Sequence, residues 1–167
     1  MITIGIDPGI EKVGVGIIEK QNNNKLNLLF YKLIKTSSKL PHEDRLQIIY
    51  HELLNIISMY PINFASIEKL YFAKNIKTAM LVSEARGVMM LALKEKNIPI
   101  YEYTPLQIKQ SLVGYGKASK AQIQEFIKIM LNLKKIPKPD DVADGIALAI
   151  IHFNFYKTFS KINRRII

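Results

Sequence analysis

The period of the apolar residues changes along this chain, and the order of the changes leaves few folds open. Ile2 to Ile6 is a short β-rich run, Val13 to Ile18 reads Val-Gly-Val-Gly-Ile-Ile, and Leu26 to Ile34 is a third stretch of strand formers. Short turns join them, with Asn22-Asn23-Asn24 between the last two, so an antiparallel meander is expected. The period then lengthens. Pro41 to Arg45 opens a helix with Glu43 and Asp44 in its first turn, and Leu46, Ile49, Leu53 and Ile56 or Ile57 give it an apolar face that ends before Pro61. Strands follow over Phe64 to Glu68 and Pro99 to Tyr103. Helices are expected over Thr78 to Lys96, Pro105 to Leu112, Ser119 to Asn132 and Asp140 to Phe155. A meander followed by strands that alternate with helices predicts an α/β domain built on a mixed sheet. The 167 residues suit one domain, placed at 1–156, with 157–167 as a basic tail that carries Lys161, Arg164 and Arg165 and frays.

Charge and composition narrow the class. Lys and Arg number 24 against 14 Asp and Glu, a formal charge of +10, which favours a polyanionic partner, nucleic acid first. Cysteine is absent, so disulfides, thiolate zinc sites and a cysteine nucleophile are excluded. The first residues carry an acid at position 7 and no basic n-region, and no apolar run approaches the roughly 20 residues of a membrane span. The expectation is a soluble, cytoplasmic protein. His42, His51 and His152 are scattered without ligand spacing and read as structural or surface residues.

The acids fall into a pattern. Asp7 ends the first strand and precedes Pro8-Gly9, which turns the chain away and leaves the carboxylate at the sheet's edge. Glu68 ends a later strand in the same way. Asp141 and Asp144 are three apart, hence on one face of the last helix, where Asp140 suits the N-cap and Gly145 permits close approach of another element. Taken singly, each acid is ordinary turn or helix-start chemistry. Together, four carboxylates from two strand ends and one helix start would repel unless cations lay between them. Hard oxygen ligands in that number suit Mg²⁺ or Mn²⁺, and two such ions roughly 4 Å apart would clamp a phosphate.

The segments Gly5-Ile6-Asp7-Pro8-Gly9, Ile67-Glu68 with Tyr71-Phe72-Ala73-Lys74-Asn75, Ala85-Arg86-Gly87-Val88, Val113-Gly114-Tyr115-Gly116 and Asp141-Val142-Ala143-Asp144 occur in this order. Together they resemble the RuvC family of Holliday junction resolvases over about residues 1–155. The resemblance implies an RNase H-like fold with a five-stranded sheet flanked by helices, a homodimer, and Mg²⁺-dependent endonuclease action on four-way DNA junctions. It implies Asp7, Glu68, Asp141 and Asp144 as catalytic, metal-binding carboxylates for two ions, with Asp7 bridging both and Mn²⁺ able to substitute. It also implies that Lys109 and Lys120 are functional lysines, that Tyr71 stacks on bases near the junction centre where Phe is common in the family, and that a branch-migration complex of the RuvA and RuvB type is a partner. Lys74, Arg86 and Lys117, with Lys77, are further phosphate-contact candidates, and the two glycines and two lysines of Gly114 to Lys120 suit a DNA-contacting loop.

The helix around Met80, Leu81, Val82, Val88, Met89, Met90, Leu91 and Leu93 is apolar over much of its circumference and must be covered on more than one side, by the monomer or by a two-fold partner. The resemblance favours the partner. Three rival readings stand beside it. A nuclease of the same fold acting on ribosomal RNA also begins with Gly-Ile-Asp-Pro-Gly, but the Tyr71 to Asn75 segment and the Val113 to Gly116 loop argue against it. An actin-like kinase or ATPase needs two such domains. A basic DNA-binding module without catalysis would have no need of all four acids.

Overall fold

The computed structural model describes residues 1–70 and 76–163, the side chains of 157–163 excepted. Three strands, β1 (Ile2–Asp7), β2 (Lys12–Lys20) and β3 (Leu26–Lys35), form the expected meander. Helix α1 (His42–Ser58), strand β4 (Phe64–Glu68), helix α2 (Ile76–Glu95) and strand β5 (Ile100–Tyr103) follow, and then helices α3 (Pro105–Val113), α4 (Lys120–Met130) and α5 (Asp140–Asn163). The sheet runs β3-β2-β1-β4-β5, antiparallel through the meander and parallel from β1 to β4 to β5.

Alternation along the strands sorts side chains between two layers. Ile4 and Ile6 of β1, Val13, Val15 and Ile17 of β2, and Ala65 and Ile67 of β4 pack with α1 and α2 through Ile49, Leu53, Ile56, Ala85, Met89 and Leu93. The opposite face reads Thr3-Gly5-Asp7 on β1, Gly14-Gly16 on β2 and Phe64-Ser66-Glu68 on β4, and α5 lies across it. This second layer is completed by α3 and α4, whose Ile108, Leu112, Ile123 and Ile127 pack with Val142, Ile146, Leu148 and Ile150 of α5.

Several sequence expectations shift. Helix α5 runs to Asn163 instead of ending near Phe155, because no glycine or proline interrupts residues 146–163. Helix α4 is a turn shorter than expected and stops at Met130, with Asn132 in the left-handed region at φ 50°. Arg45 of α1 is buried on the face expected to be apolar. Its Nε donates to Thr36 Oγ1 at 3.0 Å, and that hydroxyl donates to the Ile10 carbonyl, so the arginine braces the turn that follows Asp7. His152 is fully buried and shares a 2.8 Å hydrogen bond with the Tyr103 hydroxyl, a structural role as expected.

Candidate active site

The site is seated by backbone packing. A Cβ on Gly14 would lie 1.7 Å from the Asp141 carbonyl oxygen, and one on Gly5 would lie 2.1 Å from that of Gly145. A Cβ on Gly145 would in turn stand 2.6 Å from the Gly14 oxygen. Backbone therefore rests on backbone, and α5 descends onto β1 and β2 at the carboxyl end of β1. Parallel pairing of Ile6 with Ile67 carries Asp7 and Glu68 to adjacent positions on the face that α5 covers. The first turn of α5 then supplies Asp141 and Asp144.

The electrostatics record how close these groups come. Burial, followed by the charges of Glu68, Asp144 and Asp141, pushes the Asp7 carboxyl up to about 8, with Lys120 working in the opposite sense. Burial and then Asp144 raise Glu68. Burial also raises Asp144, though the hydrogen bond from Lys120 opposes it. Three acids held above their ordinary range by desolvation and mutual repulsion form a site whose charged state calls for a cation. The protein supplies one itself: Lys120 Nζ lies 2.8 Å from Asp144 Oδ2 and 3.7 Å from Asp140 Oδ2. Around this ammonium, and among the described residues, no three His, Asp or Glu side chains converge tightly enough to enclose a metal ion. The all-oxygen donor set and the ammonium that stands in for a cation nevertheless fit a hard divalent metal.

Asp140 departs from the cap role expected for it. The Pro139 carbonyl accepts from Val142 N–H at 3.0 Å, and Asp140 enters the helix as its first residue. Its Oδ1 accepts from Gln124 Nε2 at 3.0 Å, while Lys138 lies 3.5 Å away. The Gln124 bond, with the lysines, holds the Asp140 carboxyl below its usual range. Gln124 is itself buried, so this contact ties α4 to the start of α5.

A cleft of about 230 Å³ opens beside the acids, lined by Glu68, Pro105, Ile108, Lys109, Lys120, Ile123 and Asp144. Lys109 and Lys120, the lysines expected to be functional, thus line one cleft with Glu68 and Asp144. Lys120 is set there by a capping box in which Ser119 Oγ accepts from Gln122 N–H and the Gln122 side chain accepts from Ser119 N–H. Lys117 and Lys77 are exposed. Arg86, expected as a phosphate contact, turns its guanidinium into the sheet: Nε donates to the Glu68 carbonyl at 3.2 Å and the head group pairs with Glu102 at 2.7 Å. It braces the strand end that carries Glu68. Tyr71 and Lys74 lie outside the described residues. Sequence reading missed the supporting roles of Gln124, Arg86 and Gly14, and only the last left a local signal, glycine alternating with branched residues along β2.

A family model for the crossover junction endodeoxyribonuclease RuvC matches residues 3–152. The curated RuvC of Halothermothrix orenii is 50% identical over 157 residues, covering 94% of each chain. That of Caldicellulosiruptor saccharolyticus is 51% identical over 152 residues, or 91% of this chain and 92% of its own. The solved structure of Thermus thermophilus RuvC in complex with Holliday junction substrate superposes with a TM-score of 0.90 at 31% identity, covering 95% of this chain and 96% of that one. The mixed sheet, the acids gathered at the carboxyl ends of its central strands and these likenesses over nearly the whole length agree: the chain belongs to the RuvC family of crossover junction endodeoxyribonucleases.

Proposed function

We propose that this protein is a metal-dependent endonuclease that resolves four-way DNA junctions in homologous recombination and repair by paired, symmetric nicks. The observation that carries the reading is the seating of α5 on the glycine-lined face, which brings Asp141 and Asp144 to Asp7 and Glu68. These four carboxylates are the metal ligands, and Mg²⁺ is the expected ion, in a pair. When bound, such ions activate water and stabilise the leaving 3′ oxygen. The protein's own residues do the rest. Asp7, deepest of the set, anchors the ligand cluster, while Glu68 and Asp144 face the cleft where the scissile strand enters. Lys109 and Lys120, on the rim of that cleft, hold the backbone phosphates, and Lys117 extends the basic track. Tyr71 stacks on bases near the junction centre and Lys74 contacts phosphate.

The protein acts as a homodimer. Ile76, Met80 and Leu91 project from α2 at 74, 61 and 55% exposure, an apolar stripe suited to a two-fold partner that would set two clefts against two strands. No helix among the described residues is long and apolar enough to cross a membrane, and cytoplasmic work alongside a RuvA and RuvB type motor suits the activity. The nuclease domain spans 1–156, and α5 runs on from it through Asn163.

The test uses labelled four-way junction, linear duplex and RNA–DNA hybrid, each with Mg²⁺, Ca²⁺ or chelator. Symmetric nicks in the junction alone, dependent on the metal, are expected. Asp7→Asn should abolish cutting while junction binding persists, since a lost ligand leaves the basic surface intact. Mg²⁺-dependent cutting by that variant would overturn the site assignment.

A further inference from the structure

The Lys120 side chain is half exposed, yet its ammonium lies against the acids at the cleft. It contacts Asp144 at 2.8 Å and Asp140 at 3.7 Å, and its charge reaches Asp7 and Glu68. Its place is built into the fold. The Ser119 box fixes the start of α4, and the buried Gln124, one turn further along, holds Asp140. Lys109 lines the same cleft yet makes no ion pair with these acids among the described residues. Of the two lysines, one is tied to the carboxylates and the other is not.

We infer that Lys120 is an internal counter-ion, which holds the carboxylate cluster in the metal-free protein and passes to a DNA phosphate when metal enters, so that metal and DNA binding are coupled through one side chain. The inference rests on the metal-dependent reading above and deepens it. A divalent ion and an ammonium compete for Asp144, because two cations at contact distance on one carboxylate repel each other and the divalent charge prevails. Once displaced, the ammonium needs an anion, and its flexible four-carbon stem lets it turn toward the strand in the cleft without movement of α4. Phosphate in the cleft therefore weakens the competitor of the metal, and metal at the acids frees the lysine for phosphate. Linkage makes the two effects equal in size. A nuclease arranged in this way loads metal tightly only when DNA is present, which limits cutting by a stray metal-charged molecule.

The experiment is calorimetric titration of Ca²⁺ into wild type, Lys120→Met and Lys109→Met, each alone and each bound to a four-way junction, with melting temperatures in chelator alongside. Without DNA, Lys120→Met should bind Ca²⁺ about tenfold tighter than wild type, a coupling of ordinary size. Lys109→Met should stay within about twofold, which separates direct competition from a general change in charge. Junction DNA should tighten Ca²⁺ binding to wild type far more than to Lys120→Met. In chelator, Lys120→Met should melt below wild type and recover the difference on adding Ca²⁺. Equal Ca²⁺ affinity of wild type and Lys120→Met, or equal gains from both lysine variants, would overturn the counter-ion role and leave the metal site standing. Wild type that binds no Ca²⁺ with or without DNA would overturn the metal-dependent reading, and the inference with it.

Discussion

Gly14→Ala is the sharpest probe of how the fold makes the site. The new methyl would stand 1.7 Å from the Asp141 carbonyl oxygen, 2.2 Å from its carbonyl carbon and 2.9 Å from the Val142 nitrogen. All three are backbone atoms of the first turn of α5, so no rotamer change can relieve the contact. Reaching even 3.0 Å from the oxygen requires the helix start and β2 to part by about 1.3 Å. Overpacking of this kind typically costs about 1–3 kcal/mol, which in a chain of this length lowers the melting temperature by several degrees without unfolding the protein. The effect on chemistry is larger in proportion. Asp141 and Asp144 ride on the displaced turn while Asp7 and Glu68 stay with the sheet, and a misplacement of about 1 Å costs on the order of 100-fold in rate. Single-turnover cleavage of a labelled junction at saturating protein measures the rate, and circular dichroism melting measures the fold. Junction binding should be nearly unchanged, because Lys109 and Lys117 do not sit on α5. Cleavage within threefold of wild type by the folded variant would refute the claim that the close approach at Gly14 positions the carboxylates.

Two further outcomes follow from other parts of the structure. His152 is enclosed by Phe64, Tyr101 and Tyr103, and burial lowers its pKa from 6.5 to about 4. Between those values the unfolded chain takes up a proton that the folded one refuses, so this residue's contribution to stability is complete above pH 6.5 and falls by up to about 3 kcal/mol as the pH drops to 4. Urea unfolding of wild type and His152→Phe across that range should show a difference that narrows toward acid by about this amount, and a constant difference would refute it. Lys109→Ala should weaken junction binding and reduce the slope of log affinity against log salt by about one, as for a single lost phosphate contact; an unchanged slope would return Lys109 to ordinary surface solvation.

The parts of the site that were legible in the sequence are those with a local period. Strand parity places Thr3, Gly5 and Asp7 on one face of β1 and Phe64, Ser66 and Glu68 on one face of β4, and three-residue spacing pairs Asp141 with Asp144. The same parity carries more than the acids. Gly5, Gly14 and Gly16 share the face of Asp7, which marks where a helix backbone can lie directly on the sheet, and Gly145 supplies the matching gap on that helix. Asp140 shows where local reasoning fails. An aspartate after Pro139 suits an N-cap by propensity, yet its carboxylate is claimed by Gln124 and Lys120 on a helix that precedes it by 16 to 20 residues, a contact with no signature in its neighbours. Arg86 fails for the same reason: a basic residue beside the expected DNA face is drawn inward by Glu102 and the Glu68 carbonyl, a partnership created only when β4 and β5 pair. Residues that meet through strand parity or helical spacing could be found in advance, whereas those that neutralise and brace the acids belong to other elements and meet them only through tertiary packing. A strongly basic chain can therefore keep these carboxylates together: Lys120 pairs with Asp144 and Asp140, while Arg86, paired with Glu102, braces the strand end that carries Glu68.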